Sequence, residues 1–99
     1  MYGRIGKMTA IEGKRAALVA ILLEGTGAMP GCLSYIVAED PADPNGIWIT
    51  EAWDSETSHH ASLALASVKA AITKARPLIA GFAEQFITRP VGGHGLSPG

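Results

Sequence analysis

The chain has a single cysteine, Cys32, so no disulfide can form within it, and a compartment that keeps thiols reduced is the expected setting. Charge is also scarce. Only 17% of residues are charged, eight basic against nine acidic, for a net charge of −1 and no long run of either sign. Nucleic-acid binding needs a basic footprint to neutralise phosphates, and none is present. The longest apolar run, Ala16 to Leu23, is far short of the roughly 20 residues that span a bilayer. The N-terminus lacks the charged start and apolar core of a secretory signal. A soluble cytoplasmic protein with no membrane or nucleic-acid partner is therefore expected. Nor is there a nucleophile elbow, a phosphate-cradling glycine loop or a dinucleotide fingerprint. Gly92-Gly93-His94-Gly95 follows the last expected strand and is no P-loop. With no H-x₃-H spacing and no Cys/His cluster, no metal and no bound cofactor are expected.

What is present is a short, apolar-rich chain. Its 99 residues make one domain. A chain of this size buries only about 60–70% of its unfolded surface, so it gains from a partner subunit. Hydrophobic residues make up 47%, which implies apolar surface covered by another chain. Tyr2–Ile11 reads as a first strand, weakened by two glycines. Lys14–Glu24 reads as a helix with Leu18, Val19, Leu22 and Leu23 as its apolar stripe, stopped by Gly25-Thr26-Gly27. Cys32–Glu39 and Ile47–Trp53 are strands, joined by a loop of turn formers from Asp40 to Gly46. Asp54 is the expected cap of a short helix through Ser58. Leu65, Val68 and Ile72 line a longer helix, which Pro77 ends or kinks by disfavouring the α conformation at Arg76. Phe82–Thr88 is the last strand. The order β-α-β-β-α-β is the ferredoxin-like split βαβ arrangement, an α+β fold with a four-stranded antiparallel sheet and two helices on one face. Residues 1–89 form this domain. Residues 90–99, with four glycines and two prolines, form a flexible C-terminal tail.

Alternation on the third strand puts Ile47, Ile49, Glu51 and Trp53 on one face and Trp48, Thr50 and Ala52 on the other. Helices cover one face only, so the other is expected to meet a second copy in a homodimer. Two motifs stand at strand ends: Pro30-Gly31-Cys32-Leu33-Ser34-Tyr35 opens the second strand, and Glu51-Ala52-Trp53 closes the third. The order P-G-C-x-x-Y then E-x-W resembles the antibiotic biosynthesis monooxygenase family, over about Gly3 to Arg89. That resemblance implies a dimeric α+β barrel made of two packed sheets. It also implies cofactor-independent oxidation of a quinol, anthrone or similar phenolic aromatic by O₂, with Trp53 in the substrate cavity.

Each candidate residue has a plain structural reading beside the functional one. Trp53 fills the gap between sheet and helices, or walls a pocket. Glu51 pairs with Arg4, Lys7 or a backbone donor, or its pKa rises by desolvation and it helps take a phenolic proton. His59 and His60 follow the capped turn. Adjacent helical residues point about 100° apart, so one imidazole is solvated while the other is free to face a cleft as proton acceptor. Tyr35 lies opposite Cys32 in a regular strand, and its hydroxyl seeks a substrate or a strand end. Cys32 reads as a small buried hydrophobe. Arg4 or Tyr35 is the candidate donor to a developing oxyanion. Two alternatives to the enzyme remain: a small-ligand-binding or structural dimeric barrel, and a haem-binding or haem-degrading relative. The latter resemblance calls for a His on the long second helix, and residues Ser62 to Pro77 contain none.

Overall fold

Alternating apolar residues turn four segments into one antiparallel sheet: β1 (Tyr2–Ala10), β2 (Cys32–Glu39), β3 (Gly46–Trp53) and β4 (Ile79–Thr88). Their order in space is β2-β3-β1-β4, the ferredoxin-like arrangement. Helices α1 (Arg15–Gly25), α2 (Glu56–Ser62) and α3 (Ala66–Ala75) cross one face. The computed structural model describes residues 1–96. Among these, no helix is long and apolar enough to cross a membrane. Val91 is 89% exposed, and no helix or strand follows β4 up to Leu96. The last part of the expected tail, residues 97–99, lies outside the described residues.

The register places side chains in rows across the sheet. On the helix-covered face, one row runs Tyr35, Glu51, Arg4, Ile87, and the next runs Val37, Ile49, Gly6, Gln85. Ala10, Leu18, Leu22, Ile47, Ile49 and Ala75 form the main core; Met29, Trp53 and Val68 form a second cluster at the other end. Helix α1 reaches α3 through Gly25, where a Cβ would overlap the Ala71 methyl, so the two helices touch nearly backbone to backbone. On the uncovered face, a row of Ile36, Thr50, Ile5 and Phe86 spans all four strands. Ile36 is 54% and Phe86 51% exposed, which is costly surface for a chain this small.

Several local expectations need correction. Leu23 is 59% exposed; the buried stripe of α1 is Leu18, Leu22 and Gly25, because the helix leans on α3 rather than squarely on the sheet. Ser55, not Asp54, caps α2: its extended backbone lets its hydroxyl accept the Ser58 N–H at 3.1 Å. The helix then runs past Ser58 to Ser62, whose hydroxyl donates to the His59 carbonyl at 2.6 Å. That bond competes with helical pairing, and the chain breaks before α3. Arg76 stays in the α region (φ −47°, ψ −50°) despite Pro77, because the proline begins a tighter 3₁₀ turn, Arg76–Leu78, where a missing N–H costs nothing. Strand β4 begins at Ile79, three residues before Phe82, held by pairing of Ile79 with Ala10 and Gly81 with Thr9.

The largest correction concerns β2. Cys32 faces Trp53 and Ser34 faces Ala52, so two residues of β2 oppose one step of β3 and a bulge forms at Leu33. Cys32 and Tyr35 consequently share the helix-covered face and both pack on the Trp53 cluster. Met29 to Cys32 is a tight turn closed by a Cys32 N–H to Met29 carbonyl bond of 3.0 Å, and Gly31 at φ +83° supplies the left-handed position it requires.

Candidate active site

Between the helix-covered face and the helices lies a cavity of about 620 Å³. Strand β1 runs along its floor, and period two brings Arg4, Gly6 and Met8 into the lining. Glu51, Ile49 and Tyr35 come from the neighbouring strands, while Leu22, His59, Leu63, Val68 and Ile72 form the roof. The walls are mainly apolar; Arg4, Glu51 and His59 gather at the Trp53 end, with Gln85 and Arg76 further along.

There, Trp53 is 1% exposed, and its Nε1–H donates to Glu51 Oε1 at 3.0 Å. Glu51 and Trp53 are two apart on β3, so they share a face and the indole can reach back to the carboxylate. His59 comes down from α2 with its Nε2 at 3.9 Å from the same Oε1. The indole of Trp53 meets the imidazole edge-on at 5.4 Å, and Tyr2 lies tilted against it at 5.5 Å. The Nδ1 of His59 is buried with no hydrogen-bond partner. Arg4 Nη1 donates to the Tyr2 hydroxyl at 3.2 Å and makes no ion pair among the described residues.

These contacts set the protonation states. Burial pushes Glu51 up, against the opposing pull of the Trp53 N–H and the Arg4 charge. Burial pushes His59 down; the charges of Arg4 and His60 add to this, and Glu56 opposes it. Burial drives the Tyr35 phenol upward, with Glu51 and Cys32 adding, so it stays a protonated donor. Cys32 is likewise raised by burial, which leaves its thiol a poor nucleophile. An imidazole whose pKa burial lowers can take a proton, and the neighbouring Glu51 carboxyl can help hold the resulting charge.

Of the residues singled out from sequence, Arg4, Tyr35, Glu51, Trp53 and His59 line the cavity together. His60 does not: it is exposed and stands edge-on to His59 at 5.5 Å, because one helical step turns it away from the sheet. Lys7 is no partner for Glu51. It pairs with Asp40 and Asp43, each at 3.1 Å, in a cluster that also takes the Trp48 N–H onto Asp40. Those bonds hold Asp40 at about 2, the Ala42 backbone N–H contributing most. Tyr2 was missed, although alternation with Arg4 along β1 was signal enough. Among the described residues, no three His, Cys, Asp or Glu side chains converge as metal ligands.

A raised carboxylate destabilises the fold when it ionises. The contribution of Glu51 is fully present below about 4.5, its unfolded value, and is lost as pH rises through its higher folded value. Glu51→Gln keeps an acceptor for the Trp53 N–H and removes that charge. It is expected to raise Tm at pH 7 by a few degrees, corresponding to about 1 kcal/mol, with the gain vanishing near pH 4. Calorimetry at the two pH values checks this; a variant less stable at pH 7 contradicts the assignment.

The sequence profile of the antibiotic biosynthesis monooxygenase family matches residues 1–74. A crystal structure from Chloroflexus aurantiacus that bears this family's name is 62% identical, with a TM-score of 0.95 over 97% of this chain and 98% of that one. Another from Deinococcus radiodurans, named for the same family, is 29% identical with a TM-score of 0.77, over 94% and 95% of the two chains. A third, from Nitrosomonas europaea, has a TM-score of 0.82 at 16% identity, over 93% and 100%, a likeness of fold alone. No curated protein matches the chain.

Proposed function

The chain belongs to the antibiotic biosynthesis monooxygenase family, and from that premise we propose that it oxidises a quinol, anthrone or similar phenolic ring with O₂ and without a bound cofactor. The observation that carries this reading is the 3.9 Å separation of His59 Nε2 and Glu51 Oε1 at one end of a mainly apolar cavity. That span is too long for a direct bond, so a ring hydroxyl can enter beside Nε2 and donate its one hydrogen to it, with the Glu51 carboxyl close enough to balance the imidazolium that forms. A ring hydroxyl held there loses its proton to Nε2. Arg4, with no carboxylate partner of its own, faces the negative charge that develops on the ring oxygen. The electron-rich anion passes an electron to O₂, and the radical pair combines at ring carbon. Loss of water from the hydroperoxide turns an anthrone CH₂ into C=O, so one oxygen atom of O₂ enters the product and the other leaves as H₂O. Apolar walls keep bulk water from the anion. The test is O₂ uptake by purified, chelator-treated protein with an anthrone or naphthoquinol, expected well above the uncatalysed rate. A rate no faster than buffer overturns the reading in favour of a binding protein.

The working unit in this proposal is a homodimer joined through the Ile36–Thr50–Ile5–Phe86 row. Phe86→Glu costs little in an isolated subunit, where the ring is already half exposed, but it would bury a charge between two sheets. Light scattering is expected to give about twice the 10.3 kDa chain mass for the parent and the monomer mass for Phe86→Glu. A parent that runs as monomer at micromolar concentration contradicts it.

A further inference from the structure

The cavity extends well beyond the group that would hold a ring hydroxyl. From the Arg4–Glu51 row, β1 carries its floor past Gly6 and Met8 toward Ala10, which pairs with Ile79. Those six steps of strand cover roughly 20 Å. At the far end stands Arg76, in the turn just before β4, beside Ile72, Ile79 and Phe82.

The charges along this length are unequal. Arg4 and Arg76 line the cavity against one carboxylate, Glu51, while Lys7 is in register with Trp48 and turns its side chain to the opposite face. Lys7 is committed to Asp40 and Asp43. Arg76 makes no ion pair and no side-chain hydrogen bond among the described residues. The C-terminal dipole of α3 accounts for a cation at this position but not for one standing at the rim of a cavity. Apolar walls on one side weaken solvent screening and focus the field into the opening.

We propose that the substrate is a planar phenol bearing a carboxylate at the end remote from its hydroxyl, and that Arg76 receives the carboxylate. This rests on the oxidation site placed at His59 and Glu51, since the hydroxyl anchors one end. Planar guanidinium suits a carboxylate in two parallel bonds, and the fused ring between them lies against the apolar walls, since the Gln85 amide fills the space over Gly6.

Equilibrium binding under argon, read by tryptophan fluorescence, tests it with two probes that differ by the acidic group alone: 6-hydroxy-2-naphthoate and 2-naphthol. The carboxylate is expected to tighten Kd by about tenfold at 20 mM salt, and by less at 300 mM. In Arg76→Glu the ratio of the two Kd values falls to one or inverts. In Lys69→Glu, which reverses an exposed cation away from the lining, the ratio is kept. A parent ratio near one, a ratio unchanged in Arg76→Glu, or an equal loss in Lys69→Glu overturns the proposal. Failure of both probes to bind overturns it together with the oxidation reading. A carboxylate preference in a protein that consumes no oxygen overturns only the oxidation reading.

Discussion

Trp53→Ala is expected to lower stability by about 3–5 kcal/mol, the cost of emptying a buried indole site in a core that collapses only partly. In a domain whose whole stability is about 5–15 kcal/mol, the variant sits at the edge of folding. Tm should fall by at least about 12 °C, at roughly 4–8 °C per kcal/mol for this chain length. The reason is position: Trp53 joins Met29 and Val68 in the smaller of the two cores, with little else to close the gap. Trp53→Phe separates packing from chemistry. It keeps most of the ring but deletes the donor to Glu51, an expected loss of about 1–3 kcal/mol, and it pushes the carboxylate further up. Thermal melts of the two variants check both statements. A Trp53→Ala protein that melts with the parent would mean that the indole is not a core element.

His59→Ala is expected to slow the proposed oxidation by about 10²–10⁴-fold, the range for a positioned general base, while His60→Ala stays within about twofold. The difference is geometric, since only His59 reaches the cavity. Its pKa lies below 6.5, so the rate should climb with pH through a value under 6.5 and level off by neutrality. Stability follows the same group. A base whose folded pKa is depressed stabilises the fold fully above about 6.5, and that contribution is lost as pH falls through the folded value. Glu51 works in the opposite sense, so the two partly cancel in a stability profile but not in a rate profile. Steady-state O₂ uptake from pH 5 to 8 on the two variants decides the matter. Equal losses at His59 and His60, or a flat profile, would remove His59 from the reaction.

Much of this site is legible in the chain before any coordinates. The period-two rule puts Glu51 with Trp53 and Arg4 with Gly6, and the turn chemistry of Pro30-Gly31 and of Asp40 to Gly46 marks where the strands of the hairpin begin. Less legible were interactions between elements distant in sequence. The stripe of α1 was misjudged at Leu23 because the angle between α1 and α3 depends on the Gly25–Ala71 contact, which no local pattern contains. The split of His59 from His60 follows from helical geometry, but which of them turns inward depends on where α2 starts, and that was decided by Ser55 rather than Asp54. Lys7 is out of reach of Glu51 for a local reason: it stands three residues from Arg4 on β1, so it faces the other side of the sheet with Trp48, where Asp40 and Asp43 pair with it.

The bulge at Leu33 changes what a spacing motif means. In a flat strand, residues three apart face opposite ways, so a Cys and a Tyr separated by two positions would never meet the same ligand. Here both pack on the Trp53 cluster, because Leu33 takes up one residue without advancing the register. The spacing in P-G-C-x-x-Y is thus a measure of chain length rather than of chemistry. Deleting Leu33 would remove the bulge and leave Cys32 and Tyr35 two apart on a regular strand, still on one face. An exchange of Leu33 for another residue of similar bulk would leave the phase alone. Relatives that carry the tyrosine one position nearer the cysteine should reach the same wall with an unkinked strand.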